Sequence, residues 1–364
     1  MEQIDWRKLY AANQAEIARA GISVGDPMHG MPPAGVVRDP MRGLRPGGLA
    51  HDLRGSQLGS PRLSMSRPDA GRALVHIPRG LDPAAPAALV CMLHGCTQDP
   101  AAFAAATLMS EAADRYGFVV IYPAQDHSGN PQACWNWFLP EHQQREVGEP
   151  AAIAGIVRQL IESDARCTID PRRVFVAGLS SGGAMACILA VCYPDLFTAM
   201  AVHSGLAYGA ATNLASAYQV MARGSGNGAA PGLAAHAAMG EHARPVPSIV
   251  VHGRADRTVA PANAIEVLRQ SMAANHLAAP GSCDHDVARP TASHRSQAEN
   301  GHRYTQSRWT DKRGVVMHEL LEIDELAHAW SGGATGGSYT DPQGPSATEA
   351  IATFFELTGA RHVS

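Results

Sequence analysis

VFVAGLSSGGAMACILA, residues 174 to 190, joins an apolar run of strand character to an Ala-rich helical run through two adjacent serines set among three glycines. Gly178 to Gly182 spell G-x-S-x-G, and the setting gives the pattern its meaning. A nucleophile elbow holds its central residue in a strained strand-to-helix turn. Glycines two before and two after let the backbone pass close to its neighbours without a Cβ clash. Ser180 is therefore the expected nucleophile, its hydroxyl over a helix N-terminus whose N–H groups face developing negative charge. Ser181 is placed to give its own N–H to an oxyanion hole. The same pattern in GISVG, residues 21 to 25, has no strand before it and no helix after it. Ser23 reads as a linker serine.

Outward from the serine, strand-like runs at 73–78, 87–93, 118–122, 174–178, 199–204, 248–253 and 315–323 alternate with helical runs at about 100–115, 149–165, 183–193, 261–274 and 346–357. Such alternation predicts an α/β fold, a mostly parallel sheet covered by helices on both faces. Two stretches break the rhythm. Residues 206–246 are rich in Ala and Gly and read as a lid-like insertion, and 275–300 is polar and reads as a second one. Residues 2–20 suit an amphipathic helix and 21–71 a Pro/Gly/Arg-rich arm. Residues 1–71 are thus expected to form an appendage and 72–364 a catalytic domain.

Composition excludes other classes. A net charge of −4 with 17% charged residues gives no electrostatic case for nucleic acid or an anionic membrane. No apolar run is long enough for a transmembrane span. The first twenty residues lack the apolar core of a secretory signal, so the cytoplasm is the expected compartment, with export left open. The seven cysteines are an odd number and do not form a complete disulfide framework. No CxxC pair, HExxH motif or phosphate loop appears, so no metal and no cofactor is expected. The expected partner is a small or polymeric substrate, and the oligomeric state stays open.

A serine hydroxyl needs a base, and the base an orienting acid. In an elbow protein the chain order is Ser, then Asp or Glu, then His. SIVVHGRADRTV places Asp256 just past a strand, with Asp284 and Asp286 as weaker rivals. Among later histidines, His276, His285, His294 and His302 lie in polar stretches, and His318 lies inside the last strand. His328, in ELAHAWSGG, follows that strand's end and is the expected base. The second oxyanion donor should come from CMLHGCTQDP, as the N–H of Cys96 or Thr97, with His94 bracing the loop. Trp135 and Trp137 of QACWNWF read as either core aromatics or a substrate wall, and beside polar Asn136 the second is preferred; they and Trp330 beside the base are the expected substrate contacts.

LHGCTQ, YPAQ, CWNWF, GEPAAIAGIVRQLI, IDPRRVFVAGLSSGGAM, YPDLF, AVHSGL and AHAWSGG, in this order, resemble the polyhydroxybutyrate depolymerase family of esterases. The likeness covers roughly residues 72 to 357. It implies an α/β-hydrolase fold related to feruloyl and acetylxylan esterases. It also implies Ser180, Asp256 and His328 as catalytic residues, Cys96 and Ser181 as the oxyanion hole, and a pairing of Cys96 with Cys134. The activity it implies is serine carboxylesterase action on hydroxyalkanoate polymer, oligomers or short-chain esters. A feruloyl or acetylxylan esterase, an acyltransferase and a non-catalytic granule-binding protein are the alternatives.

Overall fold

A computed structural model describes residues 64–66, 73–164, 166–226, 230–281, 286–299 and 301–360. The helix expected over 2–20, Ser23, and all of the arm except 64–66 lie outside them, as do Asp284 and His285.

The first half of the chain builds β1 (Ser64–Ser66), β2 (Ala73–His76), β3 (Pro86–Leu93), α1 (Pro100–Thr107), α2 (Met109–Tyr116), β4 (Val119–Pro123), α3 (Gly148–Ser163), β5 (Thr168–Leu179) and α4 (Ser181–Cys192). The second half adds β6 (Ala199–His203), α5 (Leu214–Arg223), α6 (Ala230–Met239), β7 (Ser248–Gly253) and α7 (Ala262–Ala278). It ends with β8 (Ala292–Gln297), β9 (Arg303–Thr310), β10 (Val316–Ile323), the short pair β11 (Trp330–Ser331) and β12 (Thr340–Asp341), and α8 (Ala347–Ala360).

Among the described residues ten strands form one sheet in the order β1-β2-β4-β3-β5-β6-β7-β10-β9-β8, parallel from β4 through β10 and antiparallel at both edges. Central strands are apolar on both faces because both faces are covered. In β3, Leu89, Cys91 and Leu93 enter a core shared with α3, α4 and α7. Val90 and Met92 enter the opposite core, shared with α1, α2 and α8. All the parallel strands run towards one carboxyl edge, and loops leaving that edge carry the site.

Three expectations change. The helix over 100–115 is two helices, broken where Leu108 takes a left-handed φ of 58°. Residues 206–246 are no loose lid: Ala217, Val220, Ala235 and Met239 are buried in the core with α7. Within the polar stretch 275–300, α7 runs on to Ala278 and β8 then pairs with β9 in an antiparallel hairpin. Nearly every β8 side chain is exposed, so no apolar face marks it as a strand in the sequence.

The sheet also buries histidine. His318 in β10 lies 2.8 Å from Ser248 Oγ through Nδ1, and Asn275 Nδ2 donates to its Nε2 at 3.3 Å. Burial pulls its pKa down to about 3. His203 at the end of β6 falls to about 3 through burial first, then through the facing imidazoles of His252 and His328. Between these values and the unfolded value near 6.5, the unfolded chain binds protons that the folded chain refuses. The stabilisation is complete above about pH 6.5 and is lost as pH falls, on the order of 1 kcal/mol per pH unit for each ring. Thermal melts across a pH series should show Tm dropping steadily between pH 6.5 and 4.5. A flat Tm over that interval would contradict neutral burial of the two rings.

Candidate active site

Ser180 sits between β5 and α4 at φ 58°, ψ −119°, a conformation that a serine adopts only at a cost. Its neighbours make the turn possible. A Cβ on Gly182 would lie 2.1 Å from the Leu93 carbonyl oxygen, and one on Gly178 would lie 2.3 Å from the Gly182 carbonyl carbon. The turn is pinned by the Ser180 N–H donating to His203 O at 2.9 Å.

The acid and base loops are joined backbone to backbone. Ala255 N donates to Leu326 O at 3.1 Å, and Arg254 N to Ile323 O at 2.7 Å. A Cβ at Gly253 would stand 2.0 Å from Leu326 O, so this approach requires glycine. Across the junction His328 Nδ1 donates to Asp256 Oδ2 at 2.7 Å. Asp256 Oδ1 accepts the N–H groups of Thr258 and Val259, each at 2.9 Å. His252 Nε2 donates to Val259 O at 2.9 Å and stands 3.5 Å from Asp256 Oδ2. Burial pushes the Asp256 carboxyl up, but the hydrogen bond and charge of His328, the His252 imidazole and the Val259 N–H together hold it below the usual range. His203 then ties the base loop to the serine turn, because its Nε2 accepts the Ser331 N–H at 3.1 Å. Ser180, Asp256 and His328 are thus all carried on loops leaving the same sheet edge.

The rivals stand elsewhere. Asp286 caps a local turn, accepting from Ala288 N at 2.9 Å and pairing with Arg289. His294 is exposed on β8, His276 rides on α7 and His318 is sealed in the core. His302 lies between Glu325 (3.2 Å) and Asp341 (2.9 Å) and clamps the chain on either side of the base loop.

The loop after β3 treats the Cys96 and Thr97 N–H groups differently. The Thr97 N–H is spent on Gln132 O at 2.6 Å, whereas the Cys96 and Ser181 N–H groups have no acceptor among the described residues. Cys96 is disulfide-bonded to Cys134, and Ser181 Oγ lies 3.5 Å from Cys96 Sγ. Gln98 Oε1 accepts the Gly95 N–H at 3.0 Å. His94 braces the loop as expected: its Nδ1 lies 2.8 Å from Gly95 O, and its Nε2 accepts Gln125 N at 3.1 Å. Behind it Glu149, at the start of α3, accepts from Asn136 N, Asn136 Nδ2 and Gln125 Nε2. Burial raises the Glu149 carboxyl overall, although His142 and these donors pull the other way.

The three tryptophans correct the sequence reading. Trp135, Trp137 and Trp330 are 2%, 5% and 0% exposed, so none offers an open ring face to a substrate. Trp135 Nε1 donates to His94 O at 3.0 Å, buttressing the loop of Cys96. Trp137 packs edge-on against Phe138. Trp330 stacks on His203 at 5.0 Å and donates to Thr348 Oγ1 at 3.0 Å. These rings position the site loops from beneath. Among the described residues no group of three His, Cys, Asp or Glu side chains is placed to hold a metal ion, and no helix is long and apolar enough to cross a membrane.

The arrangement agrees with what the chain is similar to. It is 39% identical over 197 residues to poly(3-hydroxyalkanoate) depolymerase C of Paucimonas lemoignei, covering 54% of this chain and 46% of that one. It is 32% identical over 217 residues to feruloyl esterase B of Neurospora crassa, covering 56% of this chain and 70% of that one. The match to the depolymerase thus spans about half of that protein's length. In three dimensions the acetyl xylan esterase from Aspergillus awamori superposes with a TM-score of 0.60 at 20% identity, over 82% of this chain and all of that one, a likeness of fold. Residues 75–314 match the family described as esterase PHB depolymerase, and the chain belongs to that family.

Proposed function

We propose that this protein is a serine carboxylic ester hydrolase acting through an acyl-enzyme. Its substrates on this reading are hydroxyalkanoate oligomers or polymer and short-chain esters. The observation that carries the reading is the 2.7 Å Asp256–His328 hydrogen bond on the loops beside the strained Ser180 turn. With Nδ1 committed to Asp256, the His328 Nε2 lone pair is left to take the Ser180 proton. Ser180 Oγ attacks the ester carbonyl, and the oxyanion collects the N–H groups of Cys96 and Ser181. His328 then returns the proton to the leaving alcohol. Water repeats the sequence on the acyl-enzyme and frees the acid.

The likeness to the depolymerase supports the hydroxyalkanoate class, and the likeness to the feruloyl esterase supports a phenolic ester as the alternative. Turnover of p-nitrophenyl acetate, 3-hydroxybutyrate oligomers and methyl ferulate separates them: hydroxybutyrate oligomers should give the highest kcat/KM.

Ser180→Ala should lose on the order of 10^6-fold in kcat with Tm preserved. Asp256→Asn should lose roughly 10^4-fold, because the imidazole loses the partner that fixes its tautomer. Substantial turnover by Ser180→Ala would remove the nucleophile assignment, and a harmless Asp256→Asn the acid.

The Cys96–Cys134 bridge ties the proposed oxyanion loop to the segment anchored by Trp135 and Glu149. It closes a loop of sequence separation 38. By chain entropy that contributes roughly 3 to 4 kcal/mol. Thiol counting on unfolded, unreduced protein should find five of the seven cysteines free. Cys134→Ser should lower both Tm and kcat, and unchanged values would detach the bridge from the oxyanion loop.

A further inference from the structure

Among the described residues seven other than glycine adopt a positive φ, and five of them surround the site: Thr97, Ala133, Ser180, Ser204 and Tyr339. Four have a visible reason, since Thr97 and Ala133 each adjoin a cysteine of the bridge, Ser180 is the turn itself, and Ser204 follows His203. Tyr339 has none of these. Its φ is 52°, a true outlier for a bulky side chain and a region that costs L-residues on the order of 1 kcal/mol. The same loop uses glycine where it needs this conformation, at Gly332 (φ 66°) and Gly336 (φ 76°). At 339 it keeps an aromatic ring instead.

The ring occupies a specific place. It meets the His328 imidazole edge-on at 6.4 Å between centroids. It is half-buried, with its inner part packed on the core below, unlike the three sealed tryptophans. Its backbone is fixed on both sides: Trp330 N donates to Tyr339 O at 2.7 Å, and Gln98 Nε2 donates to Ser338 O at 3.0 Å. Gln98 is the same side chain that holds Gly95 beside Cys96. Tyr339 is therefore braced between the oxyanion loop and the base. Its hydroxyl has no hydrogen-bond partner among the described residues.

We propose that Tyr339 is a specificity-determining residue that contacts the ester substrate beside His328. Its ring packs on the chain, and its hydroxyl donates to a carbonyl of a neighbouring ester unit. The proposal rests on the esterase reading above. Backbone strain persists where the surrounding structure over-determines it, and a ring kept in place of glycine has to be supplying something that glycine cannot. A free phenol beside the His328 ring supplies a donor for a second ester carbonyl, which a single-ester substrate does not offer.

The test compares Tyr339→Phe, Tyr339→Ala and Tyr339→Gly on p-nitrophenyl acetate and on a 3-hydroxybutyrate trimer, with Tm measured for each. Tyr339→Phe should raise KM for the trimer by about 3- to 10-fold, the worth of one neutral hydrogen bond, and raise it less for the acetate. The Ala and Gly variants should lose more than Phe on the trimer, mainly in KM and to the same extent as each other. Tyr339→Gly should melt above Tyr339→Ala, because only glycine relieves the backbone. If Gly recovers the KM that Ala loses, the loop's shape matters and the ring does not, and the proposal falls. It falls equally if all three variants keep the wild-type trimer-to-acetate ratio. Absence of ester turnover in the wild type would instead sink the esterase reading, and this inference with it.

Discussion

The structure depends on a crossing that admits no side chains. The end of β3, the end of β5 and the first turn of α4 meet backbone to backbone, with Gly178 and Gly182 where a methyl group would overlap main-chain atoms. Gly183 and Gly205 repeat the approach one layer out, where a Cβ on Gly205 would stand 2.8 Å from the Gly183 carbonyl carbon. This contact brings the loop of Cys96 beside the first turn of α4, where Cys96 Sγ lies 3.5 Å from Ser181 Oγ. The same contact sets Gly95 so close that a Cβ there would lie 3.6 Å from Ser180 Cβ. Any side chain at the crossing pushes the two loops apart, and the chemistry proposed for them needs sub-ångström placement.

Strained backbone at the edge is held by bonds from layers behind it. Ser180 is fixed by its N–H to His203, and Ser204 by its N–H to Val251 O at 2.9 Å. Ala133 donates to Asn130 O at 2.8 Å inside a loop that Glu149 gathers from beneath. Each strained residue costs of order 1–3 kcal/mol and persists only because its surroundings allow nothing else. The buried tryptophans supply that rigidity. Trp135 grips the carbonyl of His94 and Trp330 wedges between His203 and Phe103, so the loops rest on rings that cannot move aside.

The parts legible in the sequence are those that chemistry over-determines. A serine between glycines at a strand-to-helix junction marks a strained turn, which Ser180 makes, and requiring an acid and an imidazole each to leave a strand end picks out Asp256 and His328, which are hydrogen-bonded. The parallel strands are equally legible, because burial on both faces makes them continuous apolar runs. What stays hidden has no local signature. β8 is exposed on both faces and reads as a polar loop, and the break at Leu108 occurs in a residue whose propensity is helical. The tryptophans mislead because composition says nothing about which way a large ring turns. Tyr339 escapes a reading of the sequence because its distinguishing property, a left-handed φ, does not show in a residue that ordinarily avoids it.

The electrostatics of the acid give the arrangement its selectivity for one partner. Three imidazoles, those of His203, His252 and His328, lie close enough to influence the charge on or around Asp256. Two are fully buried, and burial lowers both, His203 to about 3 and His252 below its ordinary value even though the Asp256 carboxylate and the Val259 carbonyl pull the other way. The third, His328, makes the 2.7 Å hydrogen bond to Asp256 Oδ2. The arrangement costs something: His252 Nδ1 is buried with no partner among the described residues, a loss of about 1–3 kcal/mol for such a group. In exchange, His252 Nε2 closes the Val259 turn that presents two N–H groups to Asp256 Oδ1, leaving Oδ2 turned towards His328.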